Sequence, residues 1–283
     1  MSDARCWGVY REIAHSPGRE TDDAEILRAT AQELSGRGYD VALKSPDELP
    51  DADDAAAIPA FLFVMCEQPG AVEKLAAWER RGARIVNRPA GIRNTDRERT
   101  IALFAKHGVS FPHSLLVDTG VGPAEFRGPC WIKRGDVHAT EAGDVSFAES
   151  PRTVSEHLGR LARRGIAQAV VQDHVEGDLI KFYGVSGLSD EDSRPSWFQW
   201  FYHRDQRLSQ YAFDPDALAA KASGAAAALG LDVYGGDAIV SASGTIAVID
   251  LNAWPSFALF RAVAASRIAA LLAARFARQQ VLR

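Results

Sequence analysis

Asp237 and Asp250 are the two side chains in this chain whose types and spacing most directly suggest joint chemistry. Between them runs AIVSASGTIAVI, apolar on both sides of a Ser-Gly turn signal, which reads as a β-hairpin. With Ser243 and Gly244 as a two-residue loop, Ala242 faces Thr245 and, counting back, Asp237 faces Asp250. Directly opposed residues have Cβ atoms about 4.5–5.5 Å apart, and like charges there repel. Asn252, two residues on from Asp250, shares its face. Two carboxylates this close require a proton, separation or a cation. A hard divalent ion such as Mg²⁺ takes oxygen ligands and shares them with phosphate. The alternative is a pair of surface residues at strand ends, with a longer, bulged loop shifting the register. The apolar flanks GGDAIV and AVIDLN favour a buried strand pair.

Lys133 ends the apolar run CWIK and precedes a loop carrying Gly135 and Gly143. A lysine leaving a strand beside such a loop suits phosphate, met by a point charge and backbone N–H groups; a solvated strand-end lysine is the plain alternative. Neither GxxxxGK[ST] nor GxGxxG occurs, so the P-loop and dinucleotide fingerprints are absent. In VVQDHVEGDLIKFYGV a Glu176-Gly177 turn separates two apolar runs, and Lys181, three after Asp178, lies on the opposite face of an ideal strand. Polar groups beside that turn suit a nucleobase and a sugar, or simply decorate a hairpin edge.

The elements that must position these residues are legible from hydrophobic pattern. Strands are expected at 5–10, 41–44, 58–65 and 84–87, with helices opening at Asp22 (a capping box with Glu25) and spanning about 70–81. IPAFLFVM is continuously apolar, as a strand buried on both faces would be. This alternation predicts a small open α/β domain over residues 1–92. After the turn-rich NRPAGIRNTDRER, a helix reaches Lys106. Strands follow at 113–117, 129–133 and 169–175, with a helix at 153–164, an α+β lobe assigned to 93–172. The last lobe, 173–283, has strands at 179–186, 196–202, 237–241 and 246–251 and helices at 215–229 and 258–278. At 283 residues the chain is long enough for one large domain or two to three small ones, each with a real core.

The net charge of -5 argues against a nucleic-acid partner held by bulk electrostatics. Cys6, Cys66 and Cys130 form no zinc framework and no even disulfide set, and the N-terminus MSDARCWGVY has no signal pattern. A cytoplasmic protein is expected, with no membrane partner: Arg261, Arg267 and Arg275 interrupt the Ala-rich tail.

Taken in order, these segments resemble the ATP-grasp superfamily over roughly 87–265. VYGGDAIV…IAVIDLNAWPSF is similar to its metal-binding block, and VVQDHVEGDLIKFYGV to its adenine-binding linker and following strand. NTDRERTIALFAKHGVSFP and CWIKRGD resemble the entries to its phosphate-binding lobe. The wording of GDLIKFYGV and IDLNAWPSF leans toward inositol-phosphate kinases, with glutathione-synthetase-like and ribosomal-protein-modifying ligases somewhat less similar. The resemblance implies an ATP-grasp architecture preceded by the α/β domain, with ATP and Mg²⁺ as cofactors. It puts Arg97, where the family usually has lysine, and Lys133 on the phosphates, with the loop 135–144 closing over them. It puts Gln172 and the backbone of His174 and Val175 at the adenine and Asp178 on the ribose hydroxyls. Asp237, Asp250 and Asn252 would ligate Mg²⁺, Asp250 standing where many members have Glu.

The leading functional expectation is an ADP-forming carboxylate–amine ligase. A small acidic acceptor would be activated as an acyl phosphate and attacked by an amine. The runner-up is a small-molecule kinase, and the third reading a nucleotide-binding protein without catalysis. Lys181 and Arg204 are the acceptor-facing catalytic candidates, with the Arg11–Arg19 loop and Ser256 beside them. The histidines show no shared spacing. The apolar face of the last helix is a possible homodimer surface.

Overall fold

The protein is described by a computed structural model covering residues 4–51, 58–136, 141, 143–189 and 194–277. The described residues form three four-stranded sheets. The first is parallel, in the order β2-β1-β3-β4, from β1 (Ala4–Val9), β2 (Tyr39–Lys44), β3 (Phe61–Val64) and β4 (Arg84–Val86). Its apolar run works as the pattern predicts. Leu62 and Val64 share a core with Val72, Leu75 and Trp78 of α2 (Pro69–Arg80). Phe61 and Phe63 share another with Ile26, Leu27 and Leu34 of α1 (Glu20–Ser35). A strand covered on both faces has no reason to alternate polar and apolar residues.

Helix α1 departs from the expectation at its start. It begins at Glu20 with Arg19 in the cap position and no side-chain cap bond. Asp22 lies inside the first turn and pairs with Arg261 at 2.6 Å, while Asp23 is buried and accepts from Ser16 Oγ at 2.7 Å. Tertiary ion pairs outweigh the local capping signal.

After α3 (Pro89–Arg93) and α4 (Arg97–His107), an antiparallel second sheet has the order β5-β8-β6-β7. Its strands are β5 (Ser114–Asp118), β6 (Cys130–Arg134), β7 (Val145–Ala148) and β8 (Gln168–Asp173), backed by α5 (Pro151–Arg163). Strand β7 was not expected. At four residues between turn formers it carries too little period-2 signal to be read from sequence.

The third sheet has the order β10-β9-β11-β12. It comprises β9 (Asp178–Val185), β10 (Trp197–Tyr202), β11 (Val233–Val240) and β12 (Ile246–Ala253), covered by α6 (Pro215–Leu229). Strand β11 starts four residues before the expected position, because Gly235 and Gly236 sit inside it rather than in a turn. A Cβ on Gly236 would lie 2.2 Å from the Asp250 carbonyl oxygen, so only glycine permits this approach of β11 to β12.

Helix α7 (Arg261–Ala277) does not offer its apolar face to a second copy. Ile268, Leu271, Leu272 and Phe276 are buried in the α1-side core of the first sheet. The last helix of the chain thus closes over the first sheet, and the dimer expectation loses the surface it rested on. Among the described residues no helix is long and apolar enough to cross a membrane.

Asn87, just after β4, joins the first sheet to the third. It is fully buried; its Nδ2 donates to Val233 O at 2.7 Å, and its Oδ1 accepts from the backbone N–H groups of Asp232 (2.8 Å) and Val233 (2.9 Å). All three bonds hold the start of β11, the strand that carries Asp237. Asn87→Ala leaves the Asp232 and Val233 N–H groups without their acceptor, while Val233 O keeps its bond from Trp254 N at 3.0 Å, and should lower unfolding stability by about 2–3 kcal/mol. Urea unfolding checks this; a change below about 0.5 kcal/mol would mean the joint is idle.

Candidate active site

Strands β11 and β12 bring Asp237 directly opposite Asp250. The route differs from the expected one. Near the turn the pairs are Val240 with Ile246 and Ala238 with Val248, one residue off the two-residue-loop count. Gly244, at φ +76°, closes a longer reversal in which Ser241 N bonds Thr245 O. A β-bulge then leaves Ile249 unpaired and restores the register, so that Asp250 rather than Ile249 meets Asp237. Two deviations from the simple hairpin cancel at the residues that matter.

The row extends across a third strand. Lys181 of β9 lies opposite Asp237 on the other side, and its Nζ donates to both carboxylate oxygens, at 2.9 and 3.2 Å. Asn252 Nδ2 donates to Asp250 Oδ2 at 3.2 Å. Burial raises the pKa of Asp237; Lys181 opposes that rise and Asp250 adds to it.

The second sheet supplies the facing cation. Lys133, 9% exposed on β6, reaches across to the bulged residue, its Nζ 3.4 Å from Ile249 O. Burial lowers its pKa, while Asp250 is the strongest charge working the other way. Arg97, the first residue of α4, shows the same pattern: burial lowers its pKa and Asp250 is the leading counter-charge. Its Nε is buried with no hydrogen-bond partner among the described residues. A buried guanidinium N–H aimed at no acceptor carries a desolvation cost that an anion would relieve. Lys133, Arg97 and Asp250 therefore form one electrostatic unit where the second and third sheets face each other.

This donor set suits a hard divalent ion. It consists only of oxygens from two directly opposed carboxylates and one amide, with buried Lys133 and half-buried Arg97 alongside to take phosphate. Among the described residues no three His, Cys, Asp or Glu side chains converge as a self-sufficient metal cage. A set this small matches a metal shared with a phosphate ligand rather than a structural ion.

The base of the loop after β6 is built firmly. Asp144, fully buried, takes Arg134 (3.3 Å) and Arg164 (2.6 Å), and Arg134 N bonds Asp144 O at 2.8 Å. Sequence reasoning missed Asp144 and Arg164 because no local spacing links them. Of the loop 135–144 itself, residues 137–140 and 142 lie outside the described ones.

The remaining expected residues sort differently. Gln172 is buried on β8 and donates from Nε2 to Ser114 Oγ at 3.1 Å. His174 is exposed, its Nδ1 accepting from Trp131 Nε1 at 3.1 Å, and with Val175 it leads from the second sheet into the third. Asp178 does not present its carboxylate to a cleft. It is 1% exposed, and its two oxygens accept from Ser209 N (2.7 Å) and Tyr211 N (2.9 Å), which anchors the segment after β10. The expected ribose contact finds both oxygens occupied by backbone. Arg204 is exposed in the bend after β10, and Phe201, not Arg204, is level with Lys181. Arg11 is a strut: its Nη2 donates to Ala253 O (2.9 Å) and Trp254 O (2.8 Å), tying the segment after β1 to the end of β12. Ser256 is buried. A cavity of about 330 Å³ lies between the first sheet's helices and the phosphate side, with His15, Glu67, Pro69, Ile92, Arg97 and Asp136 in its wall.

No protein-family model matches the chain, and no curated protein matches it. Solved structures do. The ATP-grasp ligase PsnB in complex with a minimal precursor superposes with TM-score 0.67 at 18% identity, over 97% of this chain and all of that one. A RimK-domain ATP-grasp protein of Sphaerobacter thermophilus gives 0.68 at 18%, over 95% and 99%. The D-alanine–D-alanine ligase of Bacillus anthracis gives 0.71 at 10%, over 99% of each chain. The chain is similar to these along its whole length and has the ATP-grasp fold.

Proposed function

We propose that the protein is an ATP- and Mg²⁺-dependent carboxylate–amine ligase that activates its acceptor as an acyl phosphate and releases ADP and phosphate. The observation that carries the reading is Lys133 reaching from one sheet to the bulge beside Asp250 on another, with Arg97 in the field of the same carboxylate. A cleft with buried Lys133 and half-buried Arg97 over two opposed carboxylates suits a metal-complexed polyphosphate. The shared fold with structures of ligases supports the same class.

In this reading Lys133 and Arg97 hold the phosphates, and the backbone at His174 and Val175, with Gln172 behind it, borders the base. Asp237, Asp250 and Asn252 would hold Mg²⁺, which supplies charge neutralisation of the phosphate oxygens when bound. The acceptor occupies the cavity beside Arg97, where its carboxylate oxygen attacks the γ-phosphorus as the bond to the β–γ bridging oxygen breaks. The amine then attacks the acyl carbon; phosphate leaves with the bonding pair, and the amine proton passes to solvent. Arg97 and Lys133 act by orienting and neutralising, which is most of what phosphoryl transfer asks of a protein. The acceptor is a small acidic molecule or a carboxylate on a peptide. PsnB has been solved with a precursor peptide, so both belong in the test. Free, buried Cys6, Cys66 and Cys130 suit the reducing, cytoplasmic setting expected from sequence.

The test follows the fate of ATP with panels of carboxylates and amines. Phosphate release that requires both, and hydroxamate formation when hydroxylamine replaces the amine, is the expected result. A phosphorylated acceptor without free phosphate would instead make the protein a kinase. Tight nucleotide binding with no turnover in any panel would make it a binding protein.

A further inference from the structure

Lys181 stands in an unusual place for a cation. It is in register with Asp237, Asp237 is in register with Asp250, and the three side chains form one row across β9, β11 and β12. Its ammonium does not contact one oxygen of Asp237 but straddles both, at 2.9 and 3.2 Å. Those are the oxygens a divalent ion would need. Mg²⁺ sits about 2.0–2.1 Å from its oxygen ligands. An ammonium and a dication on the same two oxygens would lie within a few ångströms of each other, where they repel strongly.

We propose that Lys181 is an exchangeable cation of this site: it neutralises the opposed carboxylates until a divalent ion takes Asp237, and then swings away on its flexible stem. Resting on the metal-site reading above, this gives Lys181 a role in metal loading that the acceptor-facing expectation did not include. Three features make the exchange workable. The Lys181 side chain is one-third exposed, so it has room to move. Asp250, opposite, carries the Asn252 amide on one oxygen, so the metal side of the row keeps its own orienting contact. Lys133, the other lysine, bonds a backbone carbonyl at the bulge and is not displaced by the same event. Metal uptake and release of the Lys181 ammonium are then one equilibrium, and the freed charge stays beside the γ-phosphate side of the cleft, available to an anionic acceptor.

Mn²⁺ binding to the nucleotide-free full chain, followed by electron paramagnetic resonance, tests the exchange without turnover. Lys181→Met removes the competitor and should bind Mn²⁺ about five- to tenfold more tightly than wild type, the scale of one partly exposed ion pair. Saturating Mg²⁺ should also raise its melting temperature by more than it raises that of wild type. Lys181→Arg, which keeps a cation able to fork onto both oxygens, should bind Mn²⁺ no more tightly than wild type. Where Met is not tolerated, Lys181→Gln makes the same comparison. Equal or weaker Mn²⁺ binding by the uncharged variant overturns the exchange. Asp250→Ala separates the two readings. Should it bind Mn²⁺ as wild type does, the metal site itself falls and the exchange with it. Should it lose binding while Lys181→Met gains none, the exchange alone falls.

Discussion

Asp250→Ala is expected to fold normally and to lose Mg·ATP-dependent turnover by at least about a thousandfold, roughly 4 kcal/mol of transition-state stabilisation. Folding should survive because Asp250 works against its neighbour Asp237: each is a like charge directly across the strand pair, and Asp250 helps push the Asp237 pKa upward. Against that relief stands a loss. Lys133 is buried and Arg97 half-buried, and Asp250 is the leading counter-charge of both. The two effects oppose each other, so net stability should move by no more than about 1 kcal/mol. Catalysis has no such cancellation, since the same carboxylate is metal ligand and electrostatic partner of both phosphate-side cations. Steady-state kinetics alongside a thermal melt reads both quantities. Activity within tenfold of wild type would remove Asp250 from the site, and with it the reading built on the hairpin.

Lys133→Met should separate stability from function in the opposite sense. The ammonium is buried, its pKa is lowered by that burial, and the hydrogen bond it donates to Ile249 O is long, at 3.4 Å. Replacing a poorly compensated buried charge by an apolar side chain of similar length is neutral or stabilising. A lysine whose folded-state pKa is lowered is a charge the fold carries at a cost, present in full at neutral pH and lost as pH rises to the ordinary lysine range. The variant should therefore melt at or above the wild-type temperature. Nucleotide-dependent turnover should nevertheless fall about a hundred- to a thousandfold, because a fixed cation at the phosphates is lost. ATP titration and a melting curve decide it. A variant that is both active within threefold and unchanged in ATP affinity would show Lys133 to be a structural strand-end lysine after all.

Much of the secondary structure was legible because period and punctuation act locally. Residues 215–229 form α6 with the expected bounds, opened by an Asp214 side-chain cap and Pro215 and closed by Gly230 at φ +76°. The run at 58–65 read as a strand covered on both sides, and β3 is one. The facing of Asp237 and Asp250 was also legible, though for an incomplete reason. Which loop closes the hairpin and where a bulge falls are decided by packing against β9 and by the approach Gly236 allows, and neither is visible within fourteen consecutive residues. Asp178 went the other way. Its place beside a turn suggested a sugar, but the chain after β10 folds back and takes both oxygens through Ser209 and Tyr211, about thirty residues away.

By itself the sequence determined the order of strands and helices, the polar residues that interrupt buried strands, and the oxygen-only character of the Asp237, Asp250 and Asn252 set. These are properties of side-chain type and of spacings within a few residues. Tertiary structure decided which of those residues meet. It brought Lys133 from one sheet to the bulge of another, and Arg97 from a helix end into the field of Asp250. It set Lys181 on both oxygens of Asp237, and laid α7 over the first sheet instead of leaving it for a partner. The reason is physical. Charge neutralisation and burial are settled between groups far apart in the chain, and they depend on distances that only the packed sheets set.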